Sequence, residues 1–167
     1  NAVLLPETTD QLIPLAELAQ ILPVDVRFIE RMPLGAAQPG QATTAATALD
    51  RLRVHWPQLK PVNERRGNGP ARYFHAPGMQ GHIGLIDAVS HGFCDRCNRL
   101  RLTSTGLLKP CLCYEQGVEL KPLLRGGADD TMLRGAIRTA ILQKPAAHCF
   151  AQQENITEHK SMNQIGG

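Results

Sequence analysis

Apolar positions recur at helical spacing near the start of the chain: Leu12, Leu15, Ala16, Ala19 and Leu22 trace one stripe. Thr8, Thr9 or Asp10 is placed to cap that helix, and Pro14 either belongs to its first turn or makes the helix start later than the stripe suggests. Pro23 ends it, and the run Val24–Ile29 reads as a largely buried strand of an α/β sheet. A short helix capped by Thr43 or Thr44 runs to Arg53, with Leu49 and Leu52 facing inward. Residues 34–42 and 63–70 read as loops, the latter leaving Arg65 and Arg66 solvated. Two strands, Ala71–Ala76 and Gly81–Ala88, follow on either side of a Pro77-Gly78 turn.

The period then shortens to two. Arg99, Leu100, Arg101, Leu102 and Thr103 alternate polar and apolar, Ser104-Thr105-Gly106 supplies turn chemistry, and Leu107–Cys111 returns. A turn centred on Ser104 and Thr105 puts position 111 opposite position 98, beside Cys97. Alternation places Cys97, Arg99 and Arg101 on one face, backed by Leu100 and Leu102. Beyond the hairpin, Val118–Leu124 predicts a short helix broken by Gly126-Gly127. Asp129 or Asp130 starts the next, whose face of Met132, Leu133, Ala136, Ile137, Ala140 and Ile141 reads as core, and Lys144-Pro145 stops it.

Composition narrows the class. With 43% hydrophobic and 20% charged residues, the 167-residue chain has ordinary globular content and can bury one substantial core or two small ones. Aromatics at 4% argue against a base-stacking surface for nucleic acid, and a net charge of +3 suits a nucleotide without requiring a polynucleotide. No run approaches the roughly 20 apolar residues that span a bilayer. A cytoplasmic location is expected, and reduced thiols suit it: five cysteines cannot all pair, and no secretory signal is evident.

Candidate chemistry concentrates on Cys94, Cys97 and Cys111. A two-residue spacing lets adjacent thiolates grip one centre, and the hairpin brings the third back to them. A structural zinc site would need a fourth ligand, which Cys113 or His91 could supply. An iron–sulfur cube with three protein ligands would keep one iron open. Spacing leaves both alternatives standing. His75, His82 and His91 are otherwise left outside the site, as isolated histidines are commonly surface or hydrogen-bonded core residues.

The run FCDRCNRLRLTSTGLLKPCL, with VRFIERMP upstream, HIGLI between and SMNQIGG at the end, resembles the GTP 3′,8-cyclase family (molybdenum cofactor biosynthesis protein A), radical S-adenosylmethionine enzymes. The resemblance implies that Cys94, Cys97 and Cys111 hold a [4Fe-4S] cluster with one open iron facing the guanine of GTP. It implies GTP binding at Arg99, Leu100 and Arg101, an active-cavity role for Arg27, S-adenosylmethionine contact at Met32, and a Gly166-Gly167 tail that reaches the active site. Physical chemistry agrees for the arginines, whose guanidinium forks match phosphate oxygens. Arg27 is otherwise a paired interior charge, Met32 a gap filler, and Glu30 either the partner of Arg27 or a catalytic acid.

The family's N-terminal CxxxCxxC motif has no counterpart among the five cysteines. The expectation is therefore a C-terminal portion: residues 1–60 the last units of a partial TIM-type barrel, and 61–167 a small α+β domain that binds cluster and GTP through a β-hairpin and a C-terminal helix. Its partners would be the missing radical half, which generates the adenosyl radical, and the downstream enzyme that forms the cyclic pyranopterin. A homodimer is compatible with the family. Alone, such a portion is expected to be an inactive part of a lyase. The reading from another class is a non-enzymatic zinc-binding fragment.

Overall fold

The computed structural model describes residues 1–35, 43–64 and 66–165. It is a mixed α/β chain with two sheets that divides into two compact units, 1–32 with 39–93 and 33–38 with 94–167.

In the first unit, β1 (Ala2–Leu4), β2 (Asp25–Glu30), β5 (His82–Ile86), β4 (Arg72–His75) and β3 (Lys60–Val62) form a sheet in the order β1-β2-β5-β4-β3. β1, β2 and β5 run parallel, while β4 and β3 complete the sheet antiparallel. The sequence reading missed β1 and β3, each only three residues long. Because β3 pairs with β4 (Lys60 opposite His75), the expected domain boundary after residue 60 falls inside this sheet.

The helix α1 (Leu12–Ile21) connects β1 to β2, and α2 (Ala45–His55) follows β2. Pro14 does lie in the first turn of α1, but Thr8 and Thr9 do not cap it: a 3-10 turn over Pro6–Gln11 precedes, and both hydroxyls donate to the Leu5 carbonyl. Thr44 caps α2 by accepting from the Thr47 amide at 3.1 Å. Alternate β2 residues Val26 and Phe28 join Ile83, Leu85, Phe74 and the helix residues Ala16, Ala19, Ala48 and Leu52 in the main core.

The second unit carries the antiparallel sheet β6-β7-β8, made of Arg101–Leu102, Leu107–Lys109 and Val118–Glu119. Two helices follow, α3 (Lys121–Arg125) and α4 (Asp130–Leu142). The helix expected over Val118–Leu124 is thus split, with β8 taking its first residues. The Asp129 carboxylate accepts from the Met132 amide at 2.8 Å and starts α4 as expected. Leu108, Leu120 and Ala140 form a small core, with Leu100, Val118, Leu123 and Ala136 packed against it. The expected apolar face of α4 is only partly core, since Met132 and Ile141 are about half exposed (56% and 49%).

Candidate functional site

Cys94–Arg96 forms a single 3-10 turn, and the Cys97 amide donates to the Cys94 carbonyl at 3.2 Å. That bond closes one tight turn between the backbones of the two cysteines. The chain then enters β6, reverses through residues 103–107, and returns along β7 to Cys111. Thr103 holds the reversal with its amide to the Leu107 carbonyl and its hydroxyl accepting from the Leu107 amide. Gly106 sits at φ +92°, so the loop has three residues and ends in the left-handed region glycine tolerates.

That third loop residue shifts the pairing. Arg101 lies opposite Lys109 and Leu102 opposite Leu108, which continued outward puts Cys111 opposite Arg99 rather than Asn98. Cys94 and Cys97 both act electrostatically on the Cys111 thiol. Burial is the main influence and pushes the Cys111 thiol up. Cys94 and Cys97 add to that, while the Cys113 amide and the Lys144 ammonium oppose it. Cys94, Cys97 and Cys111 are free, half-buried thiols.

A backbone donor already points at one of these sulfurs: the His148 amide donates to the Cys94 Sγ at 3.2 Å. Such N–H···S bonds are the second-layer contacts that orient and tune thiolate ligands. Among the described residues, no three His, Cys, Asp or Glu side chains are gathered as ligands of one metal ion.

Arg99 is exposed, Arg101 half-buried, and Arg99 lies near enough to repel it. Burial and then the Arg99 charge hold the Arg101 guanidinium below its usual value, though an arginine stays charged. The expected apolar backing is only half present. Leu100 packs into the small core, whereas Leu102 is 57% exposed, because regular pairing covers only two residues of β6. Beside Cys111 opens a recess of about 530 Å³ lined by Pro110, Tyr114, Gln116, Gln143 and Pro145.

Several participants escaped the sequence reading. Cys113 and Cys149, expected to be reduced, are joined in a disulfide with Cα atoms 6.4 Å apart. Cys113 is thereby removed as a fourth zinc ligand. His148 accepts from the Phe150 amide through Nδ1, so its proton sits on Nε2, a buried nitrogen with no hydrogen-bond partner. Burial lowers its basicity and keeps the ring neutral. Lys109, on β7, and Glu158 form an ion pair, each side chain 1% exposed, and the Lys109 ammonium also donates to the Tyr114 carbonyl. Lys144 bonds two hairpin carbonyls, those of Arg99 and Pro110. Only the cysteine spacing carried a sequence signal; these partners lie tens of residues away along the chain.

Arg27 and Met32 belong to the first unit, apart in sequence from the cysteine hairpin. Arg27 stands on the sheet face with Asp25 and His82, opposite Gly84, where a side chain would meet its Cγ at 2.7 Å. Its Nε is buried without a hydrogen-bond partner. Glu30 is neither its partner nor a free acid. Three residues along a strand reverse the face, and Glu30 accepts from the amides of Ala45, Val89 and Ser90, each at 2.8 Å, and from the Ser90 hydroxyl. Arg66 is not solvated: it pairs with Asp25 at 3.1 Å. Arg65, Gly166 and Gly167 lie outside the described residues; the neighbouring Ile165 is fully buried and Ser161 closes a capping box with Gln164.

Comparison with known proteins gives one consistent answer. The sequence profile of the family Molybdenum Cofactor Synthesis C matches residues 24–150. GTP 3′,8-cyclase of Clostridium perfringens (strain SM101 / Type A) is 36% identical over 168 residues, covering 100% of this chain and 52% of the relative. GTP 3′,8-cyclase of Moorella thermoacetica is 39% identical over 95% of this chain and 49% of its own length, and that of Desulforamulus reducens 40% over 91% and 47%. The chain spans about half the length of the curated relatives it matches.

Proposed function

The chain belongs to the molybdenum cofactor synthesis C family, and from that we propose that it forms the substrate-side portion of a GTP 3′,8-cyclase, which converts GTP to 3′,8-cyclo-7,8-dihydro-GTP by radical S-adenosylmethionine chemistry. In this reading Cys94, Cys97 and Cys111 hold a [4Fe-4S] cluster. When bound, that cluster supplies an open iron toward the guanine. Arg99 and Arg101 neutralise the triphosphate, and the parallel strands β1, β2 and β5 are the end of a partial barrel, with Arg27 and Met32 serving its cavity and the S-adenosylmethionine. Gly166-Gly167 completes the site. The radical-generating cysteines come from the companion half, so the chain alone does not turn over.

The observation that carries the reading is the placement of two mutually repelling guanidiniums and three free thiols on one short hairpin. Two neighbouring guanidiniums offer charge-assisted hydrogen bonds in a fork that matches phosphate oxygens. The recess beside Cys111 has a volume suited to a small organic ligand.

The test is GTP binding by calorimetry on the reconstituted chain. Arg99→Ala and Arg101→Ala should each weaken binding by roughly 1.5–3 kcal/mol, the range for hydrogen bonds to charged groups. The loss should shrink as salt is raised. Unchanged affinity in both variants would remove the substrate role of this pair.

A further inference from the structure

The hairpin that carries the three thiols is regular for only two residue pairs, Arg101–Lys109 and Leu102–Leu108. Regular pairing is not continued outward to Pro110 and Cys111; the backbone of Pro110 stands at a position that faces away from β6, as alternation from the Thr103–Leu107 bond requires. The open end of the hairpin, which carries Arg99 and Cys111, therefore lies beyond the regular strand pairing.

One side chain spans that gap. The Lys144 ammonium, just past the end of α4, donates to the Arg99 carbonyl at 2.8 Å and to the Pro110 carbonyl at 2.7 Å. It thus bonds both strands at once where the ladder stops. An ammonium has three donors and no fixed plane, so it can serve two carbonyls on different strands, each a charge-assisted bond. The same segment sends the His148 amide to Cys94 and ties Cys149 to Cys113.

We propose that Lys144 is a positioning residue which replaces the missing strand pairing and sets Cys111 against Cys94 and Cys97, and with them the spacing of Arg99 from the thiols. The assignment of these thiols to a cluster rests on the preceding section; the geometric role of Lys144 does not need it.

The experiment compares the full chain with Lys144→Met, Lys144→Arg and, as a control for loss of a surface cation, Arg138→Met. In the metal-free protein, a bifunctional thiol reagent is applied and Cys111–Cys94 and Cys111–Cys97 cross-links are counted by mass spectrometry. After anaerobic reconstitution, iron loss to a chelator is timed. Lys144→Met should cut the cross-link yield several-fold and release iron about tenfold faster, the low end of the penalty for losing a second-layer contact. Lys144→Arg should recover most of both, and Arg138→Met should match the parent. If Lys144→Met does not fold, Lys144→Gln, which keeps a neutral donor, should show the same losses at smaller size. Parental cross-linking in a folded Lys144→Met or Lys144→Gln overturns the proposal. A parent chain that takes up no iron removes the cluster reading instead, and the cross-linking result still decides the role of Lys144.

Discussion

Glu30 accumulates four hydrogen bonds on one carboxylate, from three amides and a hydroxyl. Burial alone would raise its pKa, but those donors outweigh it and hold the group below the usual carboxylate value. A depressed folded-state pKa contributes stability above the unfolded value of about 4.3 and forfeits it as pH falls through the folded value. Glu30→Gln should therefore lower stability at pH 7 by roughly 1–3 kcal/mol in denaturant titration, with the deficit shrinking below about pH 4. A deficit that stays constant with pH would mean the charge is irrelevant. Lys109 and Glu158 make a similar case with two charges. Lys109→Met alone should cost about 3–5 kcal/mol by leaving a buried carboxylate unpaired, while Lys109→Met with Glu158→Leu should cost far less. Sequence could have excluded an Arg27–Glu30 pair on one face, since the odd spacing of three reverses the side on a strand; it could not have shown which distant amides Glu30 would meet.

At the scale of elements, the hairpin was legible because alternation, a Ser-Thr-Gly turn and two cysteine groups pointed the same way. Its register was not. Whether the loop holds two or three residues depends on Gly106 adopting φ +92°, a conformational choice that composition does not reveal. Gly106→Ala is strained twice, by that backbone angle and by a methyl that would lie 2.5 Å from the Lys121 Cβ. It should destabilise the second unit by more than the roughly 1–2 kcal/mol expected of a left-handed alanine. Gly127→Ala, at φ +80° with nothing within 4 Å, should cost only that backbone term. Equal unfolding midpoints for the two variants would contradict the tight turn. The helices followed their apolar stripes in part: Ala16, Ala19 and Leu52 are buried as expected, while Leu22 is 45% exposed and α4 fully buries Ala140 alone of its expected face. The edge strands β1 and β3 did not, because three residues are too short to display a period.

For the molecule as a whole, the two-sheet α/β division follows from chain features that one sequence displays only in part. The thiols and guanidiniums were readable because their chemistry is local to one hairpin. The disulfide, His148 and Lys144 were not, because each meets its partner across 34 to 54 residues of chain. Among the described residues no helix is long and apolar enough to cross a membrane. The claim on which the functional account turns is the nature of the centre that Cys94, Cys97 and Cys111 hold. Metal and acid-labile sulfide analysis of the anaerobically reconstituted chain, read beside its visible absorption, addresses it directly. The account predicts about four irons and four sulfides per chain with a broad visible band, abolished by Cys111→Ser. One tightly bound zinc per chain and no sulfide would contradict it.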